Sequence, residues 1–518
     1  MARLLLINPS YVTTYGSTGG GLANPVYPVM GLAALAGEAR RAGHQVEILD
    51  MSYTVYDPQL VIDAVRRLSP DVVGITATTP LANQMTDISY IIKNISSQIR
   101  VIGGGPHATA VMEASMEQSL LDAVGYGEAD QTIVDLMNTD DWRGVSGLIM
   151  RSSSELIVSD PQSPVEDLDN LAMPAWDLFP KEVYERHITR IMARRSPVSM
   201  VEFSRGCVFT CDFCASKNTV GFGYRKKSPE RCAEELGVLV KLGYKEVVLA
   251  DDIFTSDNNW AIQVCEEIIR RKIDITWTCS NGIRVDSAND ELFAVMKRAG
   301  CYRVHFGFES GNDEVLKAFG KGGKATLDQG ISAVKMARKA GLDTFGMYMI
   351  GLSSDTEKTM QDTINYSKVV PTDAMRFGIT VPFPGTKMFK DLHARGKIKS
   401  FDWDDYTVYN EANQIFDHPK IPWEVIKRTF RQAHLSSYLN VAYIVRRLKK
   451  SLKELEILWD IWFFLKFIRI FGLKRGREPV NNQYQYKHIW REKLENSSAS
   501  VRYVEPLPIN KIIKAKNL

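Results

Sequence analysis

Val198-Ser199-Met200-Val201-Glu202-Phe203 runs directly into Ser204-Arg205-Gly206-Cys207-Val208-Phe209-Thr210-Cys211-Asp212-Phe213-Cys214. The first six residues read as a short apolar strand, and the loop after it carries three of the chain's seven cysteines at C-x3-C-x2-C spacing. Three thiolates can therefore converge on one inorganic centre from a single loop. A [4Fe-4S] cluster takes four ligands, usually all Cys, so three without an evident fourth leave one iron open to a cofactor or substrate. A structural zinc site would close with a fourth Cys or His. The further C-x2-C pair that usually does so is missing.

Downstream of this loop, strand and helix patterns alternate to about residue 400. Strands are predicted at Glu246–Ala250, Ile275–Thr278, Arg303–Phe308, Thr344–Ile350 and Met375–Val381, with helical spacing at Pro229–Leu242, Asn258–Arg271, Ala288–Ala299 and Leu327–Ala340. Six β/α units predict a partial (β/α)6 TIM-type barrel over residues 198–400, with chemistry at the carboxyl ends of its strands. The cysteine loop follows the first of them. The other predicted ends are polar or glycine-bearing: Asp251-Asp252, Ser280-Asn281-Gly282-Ile283-Arg284, Glu309-Ser310-Gly311 and Gly351-Leu352. Acidic and basic groups on one rim suit a zwitterion carrying amine, carboxylate and ribose hydroxyls. Asp257 and Ser287 read as helix N-caps, with Asp290 favouring the helix start after Ser287.

Residues 1–160 alternate in the same way. Strands at Leu4–Asn8, Gln45–Leu49, Val72–Ala77, Val101–Gly103 and Ala123–Gly125, with helices at Met30–Ala42 and Pro58–Leu68, predict a doubly wound, Rossmann-like parallel sheet. Its strand ends read Asn8-Pro9-Ser10-Tyr11, Thr76-Ala77-Thr78-Thr79, Gly103-Gly104-Gly105-Pro106-His107 and Gly125-Tyr126-Gly127-Glu128. Glycines there let backbone approach a ligand closely. No G-x-G-x-x-G follows the first strand, so the ligand is not the usual dinucleotide. Residues 161–197, including Leu171-Ala172-Met173-Pro174-Ala175-Trp176, read as an ordered linker.

Several classes fall away on composition. A chain of 518 residues that is 45% hydrophobic and 24% charged is a soluble, multidomain globular protein, and a net charge of +3 gives no reason to expect nucleic acid. The apolar run after Met1 is too short for a signal peptide, and an odd cysteine number with three clustered fits a reducing cytoplasm and metal binding. Residues 401–477 turn helical after an aromatic patch at Phe401, Trp403, Tyr406 and Tyr409. There Arg446, Arg447, Lys449, Lys450 and Lys453 precede the apolar run Ile457–Ile468, which Asp460 and Lys466 make too charged to span a bilayer. Either the helix lies on an anionic membrane surface, or it packs on the barrel with its basic face in water. The tail, 478–518, carries no reading.

The cysteine loop, with the aromatic Phe213 just before the third Cys, resembles the signature of the radical SAM superfamily. That resemblance implies a [4Fe-4S] cluster on Cys207, Cys211 and Cys214, whose open iron chelates S-adenosylmethionine (SAM). It implies SAM contacts from Phe213 (adenine), Asp251 and Asp252 (amine, though the common Gly-Gly-Glu form is absent), Ser280, Arg284 and Glu309 (carboxylate or ribose), and Gly346 and Ile350 (the segment flanking adenine). The N-terminal domain is similar to the cobalamin-binding domain of one large subgroup, on Tyr27-Pro28-Val29-Met30-Gly31-Leu32, Ala42-Gly43-His44-Gln45-Val46, Gly103–His107 and Gly127-Glu128. Asn8, Pro9, Thr76, Ala77, Gly103, Gly104, Gly105, Pro106, His107, Gly127 and Glu128 are its implied cobalamin contacts. Asn8-Pro9-Ser10-Tyr11 stands where cobalamin mutases have D-x-H-x-x-G, so the cofactor is expected base-off and without a protein His. The implied reaction starts from a 5'-deoxyadenosyl radical, with electrons from a reductant such as flavodoxin or ferredoxin. In the commonest outcome it ends in methylation of an unactivated carbon of a lipid, tetrapyrrole or natural product. The alternatives are radical cyclisation, as in protoporphyrin ester cyclases or cyclopropane formation, and, outside enzymes, a cobalamin and redox sensor.

Overall fold

A computed structural model describes residues 1–15, 27–152, 155–186, 193–221, 223–320, 325–408, 413–454 and 457–467. Tyr409, the end of the apolar run at Ile468 and the tail lie outside the described residues. The first sheet has the order β2-β1-β3-β4-β5-β6-β7. Its parallel part is β1 (Arg3–Asn8), β2 (Gln45–Asp50), β3 (Val72–Thr76), β4 (Arg100–Gly104) and β5 (Ala123–Gly125). Leu4, Leu5, Leu6 and Ile7 of β1 are buried on both faces, as a central parallel strand covered by helices requires. The antiparallel edge, β6 (Leu148–Ser152) and β7 (Glu155–Val158), was not expected, because β6 has only three consecutive apolar residues. The order reverses between β1 and β3, which opens a crevice at their carboxyl ends.

Helix α1 (Met30–Arg41) and helix α2 (Pro58–Leu68) stand where 3.6-residue spacing put them, the second begun by Asp57, whose side chain accepts from Gln59 N, and by Pro58. Helix α3 (Ala82–Ile95) escaped that reading. It buries Asn83, Gln84, Thr86, Asp87 and Ser89 along with its apolar stripe, so its polar composition hides its place between the sheet and residues 400–408. Asn83 Nδ2 donates to Asp402 across that boundary at 2.8 Å.

The second sheet runs β8 (Val198–Val201), β9 (Glu246–Leu249), β10 (Thr276–Ile283), β11 (Cys301–Glu309), β12 (Asp343–Ile350), β13 (Ala374–Ile379), each parallel to the next. Among the described residues the two end strands do not pair with one another, so the barrel is open along one side. Five helices cover it: α4 (Pro229–Lys241), α5 (Asn258–Arg270), α6 (Asp290–Arg298), α7 (Leu327–Lys339) and α8 (Glu357–Val369). The last was unread, and β10 runs on through Ser280 to Ile283 with a register shift rather than stopping at Thr278. Asp257 caps α5 through Trp260 N as expected, but Ser287 does not cap α6. Asn289 does, accepting from Leu292 N at 2.7 Å, while Ser287 Oγ bonds Arg284 O in the turn before it.

Burial alternates along β11 from Tyr302 and along β12 from Thr344. Val304, Phe306, Phe308, Tyr348 and Ile350 pack against the helices, whereas Arg303, His305, Glu309, Phe345, Met347 and Met349 turn to the other face, the barrel interior. The segment 161–186 is fastened to both sheets. Ala175 N donates to Ala33 O, Trp176 Nε1 to Met200 O, Ala172 N to the buried Glu38, and Tyr184 OH to the buried Asp50.

After the barrel, α9 (Trp423–Tyr438) packs on α8 and β13, and α10 (Val441–Glu454) and α11 (Ile457–Phe467) follow as a helical pair. Helix α10 packs on the barrel, and its cations are divided: Lys449 and Lys453 are exposed, the other three are paired. Arg446 donates to Thr372 O, Lys450 pairs with Asp343 and Asp373, and Arg447 holds Asp460 of α11.

Candidate active site

The cysteine loop leaves the barrel after β8. Ser204–Arg205 pairs antiparallel with Arg225–Lys226, so residues 206–224 form an excursion closed at its base. Gly206 turns the chain into it at φ +94°, where an added Cβ would lie 2.5 Å from Gly223 O. Cys207, Cys211 and Cys214 are half-buried and form no disulfide, while Cys232, Cys265, Cys279 and Cys301 are sealed in the apolar core. Among the described residues no three His, Cys, Asp or Glu side chains converge as ligands of one metal ion. A cuboidal cluster takes one thiolate per iron and does not need that convergence. Burial pushes the Cys207 thiol up, against the Phe209 amide, and Asp252 and Cys214 push it further. Such thiols ionise on meeting a cation, and the three fit a cluster.

The loop is fixed on every side. Arg284 lays its guanidinium 3.7 Å over the Phe209 ring and pairs with Asp286. Phe213 packs on Phe319 (5.3 Å between centroids) with Val315, Leu316, Leu352 and Met349 nearby. Asp212 N donates to Phe319 O and Met388 N to Asp212 O. Asp252 accepts from Ser216 Oγ at 2.7 Å, two residues past Cys214. Asp251 is buried beneath and accepts from Phe203 N and Ser204 Oγ, the residues that launch the loop. Ser280 is half-buried on β10, and Glu309, at the end of β11, holds φ +62°, a left-handed conformation that a non-glycine residue keeps only where its surroundings enforce it. Gly346 and Ile350 point to the helices. A Cβ on Gly346 would meet Tyr348 and Phe308, so only their backbone can face the interior.

In the N-terminal sheet, Asn8 is buried at the crevice with Nδ2 on Asp50 and Oδ1 without a partner. Gly104 and Gly127 face open space, with no atom within 4 Å of an added Cβ. Gly105, at φ +90°, is pressed onto Thr76 and Ala77. A rim of open glycines around an unpaired acceptor fits a large, amide-rich cofactor. His107 is buried, its Nδ1 3.3 Å from Thr79 Oγ1 and its ring edge-on to Trp403 at 4.9 Å; burial lowers its pKa to about 3, so it is neutral.

The crevice and the cysteine loop are bolted together. Arg205, two residues before Cys207, binds Asp130 through two nitrogens (2.7 and 3.1 Å), Glu202 at 2.7 Å and Glu128 at 3.4 Å. Arg225 grips Glu128 from the other side and donates to Val165 O. The carboxylates at the end of β5 thus hold both arms of the ribbon under the cluster loop.

The family description Radical SAM superfamily matches residues 201–366, and B12 binding domain matches residues 19–137. An uncharacterized methyltransferase of Pyrococcus horikoshii is 32% identical over 425 residues, 81% of this chain and 89% of that protein. The chain belongs to the cobalamin-dependent radical SAM enzymes. The anaerobic magnesium-protoporphyrin IX monomethyl ester cyclase of Rubrivivax gelatinosus is 27% identical over 417 residues, 78% of the chain and 72% of that enzyme. The solved structure of the radical SAM methyltransferase TsrM from Kitasatospora setae, with cobalamin and a [4Fe-4S] cluster bound, shares the fold at a TM-score of 0.67 and 16% identity, covering 84% of this chain and 91% of that one.

In this radical SAM enzyme the sequence reading missed the barrel lining and the clamp. His305 stacks on Phe345 (4.5 Å) inside the barrel, and burial, with Arg303 and Arg376 nearby, keeps it neutral. Arg376 reaches the same interior from β13, with Met347 Sδ 3.9 Å from its guanidinium. The alternation Arg303-x-His305-x-Gly307-x-Glu309 was the available signal, since a strand buried on both faces would be apolar throughout.

Asp251 yields a first prediction. Asp251→Ala leaves Phe203 N–H and Ser204 O–H unpaired in a buried place, which is expected to cost about 2–6 kcal/mol at about 1–3 per donor. Burial lifts the Asp251 carboxyl from 3.8 to about 7 against the hydrogen bonds it accepts. Its contribution to stability is therefore complete below about pH 4 and is lost as pH rises through 7. Asp251→Asn should remove that slope while keeping most of the stability, as read from urea midpoints of the apoprotein between those pH values.

Proposed function

We propose that this enzyme methylates an unactivated carbon of a lipid, tetrapyrrole or natural-product substrate. The observation that carries the reading is the clamp of Arg205 on Asp130 and Glu128, which holds the cluster loop and the cofactor crevice against one interior. When bound, the cluster and SAM supply a 5'-deoxyadenosyl radical and cobalamin supplies the methyl group, while the protein positions both. Cys207, Cys211 and Cys214 would hold the cluster by three thiolates, with no fourth protein ligand. Phe213, Asp252, Ser280 and Glu309 would contact SAM by side chain and Gly346 and Ile350 by backbone, while Arg284 braces the loop through Phe209 and Asp251 positions it from below.

Asn8, Pro9, Thr76, Ala77, the Gly103–Pro106 turn and Gly127 line the crevice for cobalamin, which binds base-off with no protein His. Two observations support that. His107 is committed to Thr79 and Trp403, and His44 bonds Ala2 N and Asn138 at the amino end of the sheet. Glu128 serves the clamp beside the crevice. A flavodoxin or ferredoxin supplies electrons, and the setting is cytoplasmic, at the inner face of a membrane. Among the described residues no helix is long and apolar enough to cross one.

The likeness to the Pyrococcus methyltransferase supports methylation, and that to the Rubrivivax cyclase keeps ring closure as the second reading. Methylation consumes two SAM molecules, one to 5'-deoxyadenosine and one to S-adenosylhomocysteine. Anaerobically reconstituted enzyme with dithionite is expected to give both, the second stoichiometric with bound corrinoid. Formation of 5'-deoxyadenosine without S-adenosylhomocysteine would favour cyclisation, and neither product from cluster-loaded protein would sink the radical reading.

A further inference from the structure

Helix α10 is amphipathic in the wrong sense for a helix at a protein surface. Tyr443, Arg446 and Lys450 face the barrel: Tyr443 OH donates to Asp373 O, Arg446 to Thr372 O, and Lys450 pairs with Asp343 and Asp373. Although burial pushes the Asp373 carboxyl up, Lys450 and Arg338 hold it below its ordinary value, as a firm ion pair would. The opposite stripe, Val441, Ile444, Val445, Leu448 and Leu452, recurs at helical spacing and is exposed, Val441 to 75%. Helix α11, tied back by Arg447 and Asp460, continues the apolar surface with Leu458 (77% exposed), Ile461, Trp462, Phe464 and Leu465. Most of the exposed large apolar side chains among the described residues lie between Leu439 and Leu465, and monomers rarely expose such a patch without a use for it.

We propose that the α10–α11 pair is a docking surface for an anionic lipid bilayer. Lys449 and Lys453 are exposed beside the apolar stripe. An apolar face edged by cations matches the boundary between acyl chains and acidic headgroups. The chain's own continuation, with Arg469, Lys474, Arg475 and Arg477, has the same sign as the surface, as does a second copy; neither is complementary to it. The contact deepens the membrane setting proposed above and is independent of the radical chemistry. Its position also limits its role. Asp343 opens β12 and Thr372 precedes β13, so the pair covers the amino ends of the strands, about 25 Å along an eight-residue strand from the carboxyl ends that carry the cofactors. The surface anchors the enzyme and leaves the cofactor mouth clear of the bilayer.

The test is sedimentation of the full-length protein with vesicles of phosphatidylcholine alone and of phosphatidylcholine mixed with phosphatidylglycerol. Binding to the anionic vesicles is expected to exceed that to the neutral ones by about tenfold or more and to weaken with salt. Leu448→Asp with Leu458→Asp changes only exposed positions; it should abolish binding and leave the unfolding midpoint and SAM cleavage unchanged. Lys449→Glu with Lys453→Glu, with the apolar face intact, should remove the preference for anionic lipid, so the test stands even where the first variant folds poorly. Equal binding to both vesicle types, binding that survives both variants, or no binding, with light scattering reporting a dimer or a monomer closed by its own tail, would overturn the proposal.

Discussion

Arg205→Met is expected to lower the stability of the apoprotein by about 3–5 kcal/mol, the usual cost of removing one partner from a buried ion pair. The arginine, Glu128 and Asp130 are each less than a tenth exposed at the side chain. Met fills most of the volume, so the loss is electrostatic: Asp130 is stranded in a buried site, and Glu128 keeps Arg225 and the Val165 amide. Adding Asp130→Asn removes the stranded charge. The double variant should therefore recover a large part of the loss, and a double-mutant cycle on urea midpoints should give a coupling well above the 0.3–0.5 kcal/mol of independent sites. Additive effects would mean that the clamp is incidental. A second readout isolates geometry from stability. In reconstituted protein the magnetic coupling between reduced cluster and cob(II)alamin, seen by EPR, depends on their separation. It should broaden in Arg205→Lys, which keeps the charge but loses the two-pronged grip on Asp130.

The features that were legible in the sequence are those whose physics is local. Three thiols within eight residues must share a neighbourhood whatever the rest of the chain does, and runs such as Leu4–Ile7 are long enough to declare a buried strand. Asp257 before α5 marks a helix start because capping is decided within three residues. Where the deciding contact is distant, the sequence is silent. Arg205 looks like part of the cysteine motif, yet its purpose is set by Asp130, 75 positions earlier. Arg284 suits a carboxylate ligand by type, but its plane is stacked on Phe209, a contact made by two loops that meet only in the folded barrel. Ser287 had the right chemistry for a cap and lost to Asn289 because β10 runs five residues beyond Thr278 and carries the following turn with it. The inverted amphipathy of α10 could not be read at all: its moment is the same whichever face meets the barrel, and only Asp343 and Asp373 decide that Lys450 turns inward.

Gly206→Ala should empty the cluster site while leaving the protein folded. Two penalties meet at that residue. Its φ of +94° lies where a Cβ costs about 1–2 kcal/mol in any protein. The Cβ would also stand 2.5 Å from Gly223 O, a backbone atom on the other arm of the excursion, so relief requires the base of the loop to open. Opening it unpairs Ser204–Arg205 from Arg225–Lys226 and moves Cys207 away from Cys211 and Cys214, which Asp212 and Phe213 keep on Phe319 and Met388. Both barrel and N-terminal sheet lie outside the disturbed ribbon, so the loss of stability should not exceed that expected for Arg205→Met. Iron retention should fall by about 10–100-fold, the range for losing the support of a metal ligand. Gly221 supplies the control: it lies in the same excursion at φ +74° with nothing within 4 Å of an added Cβ, so Gly221→Ala bears the conformational strain without the collision. Iron and sulfide content of the two variants after identical anaerobic reconstitution decides the matter. If Gly206→Ala retains as much iron as Gly221→Ala, the closed base of the ribbon is not what gathers the three cysteines.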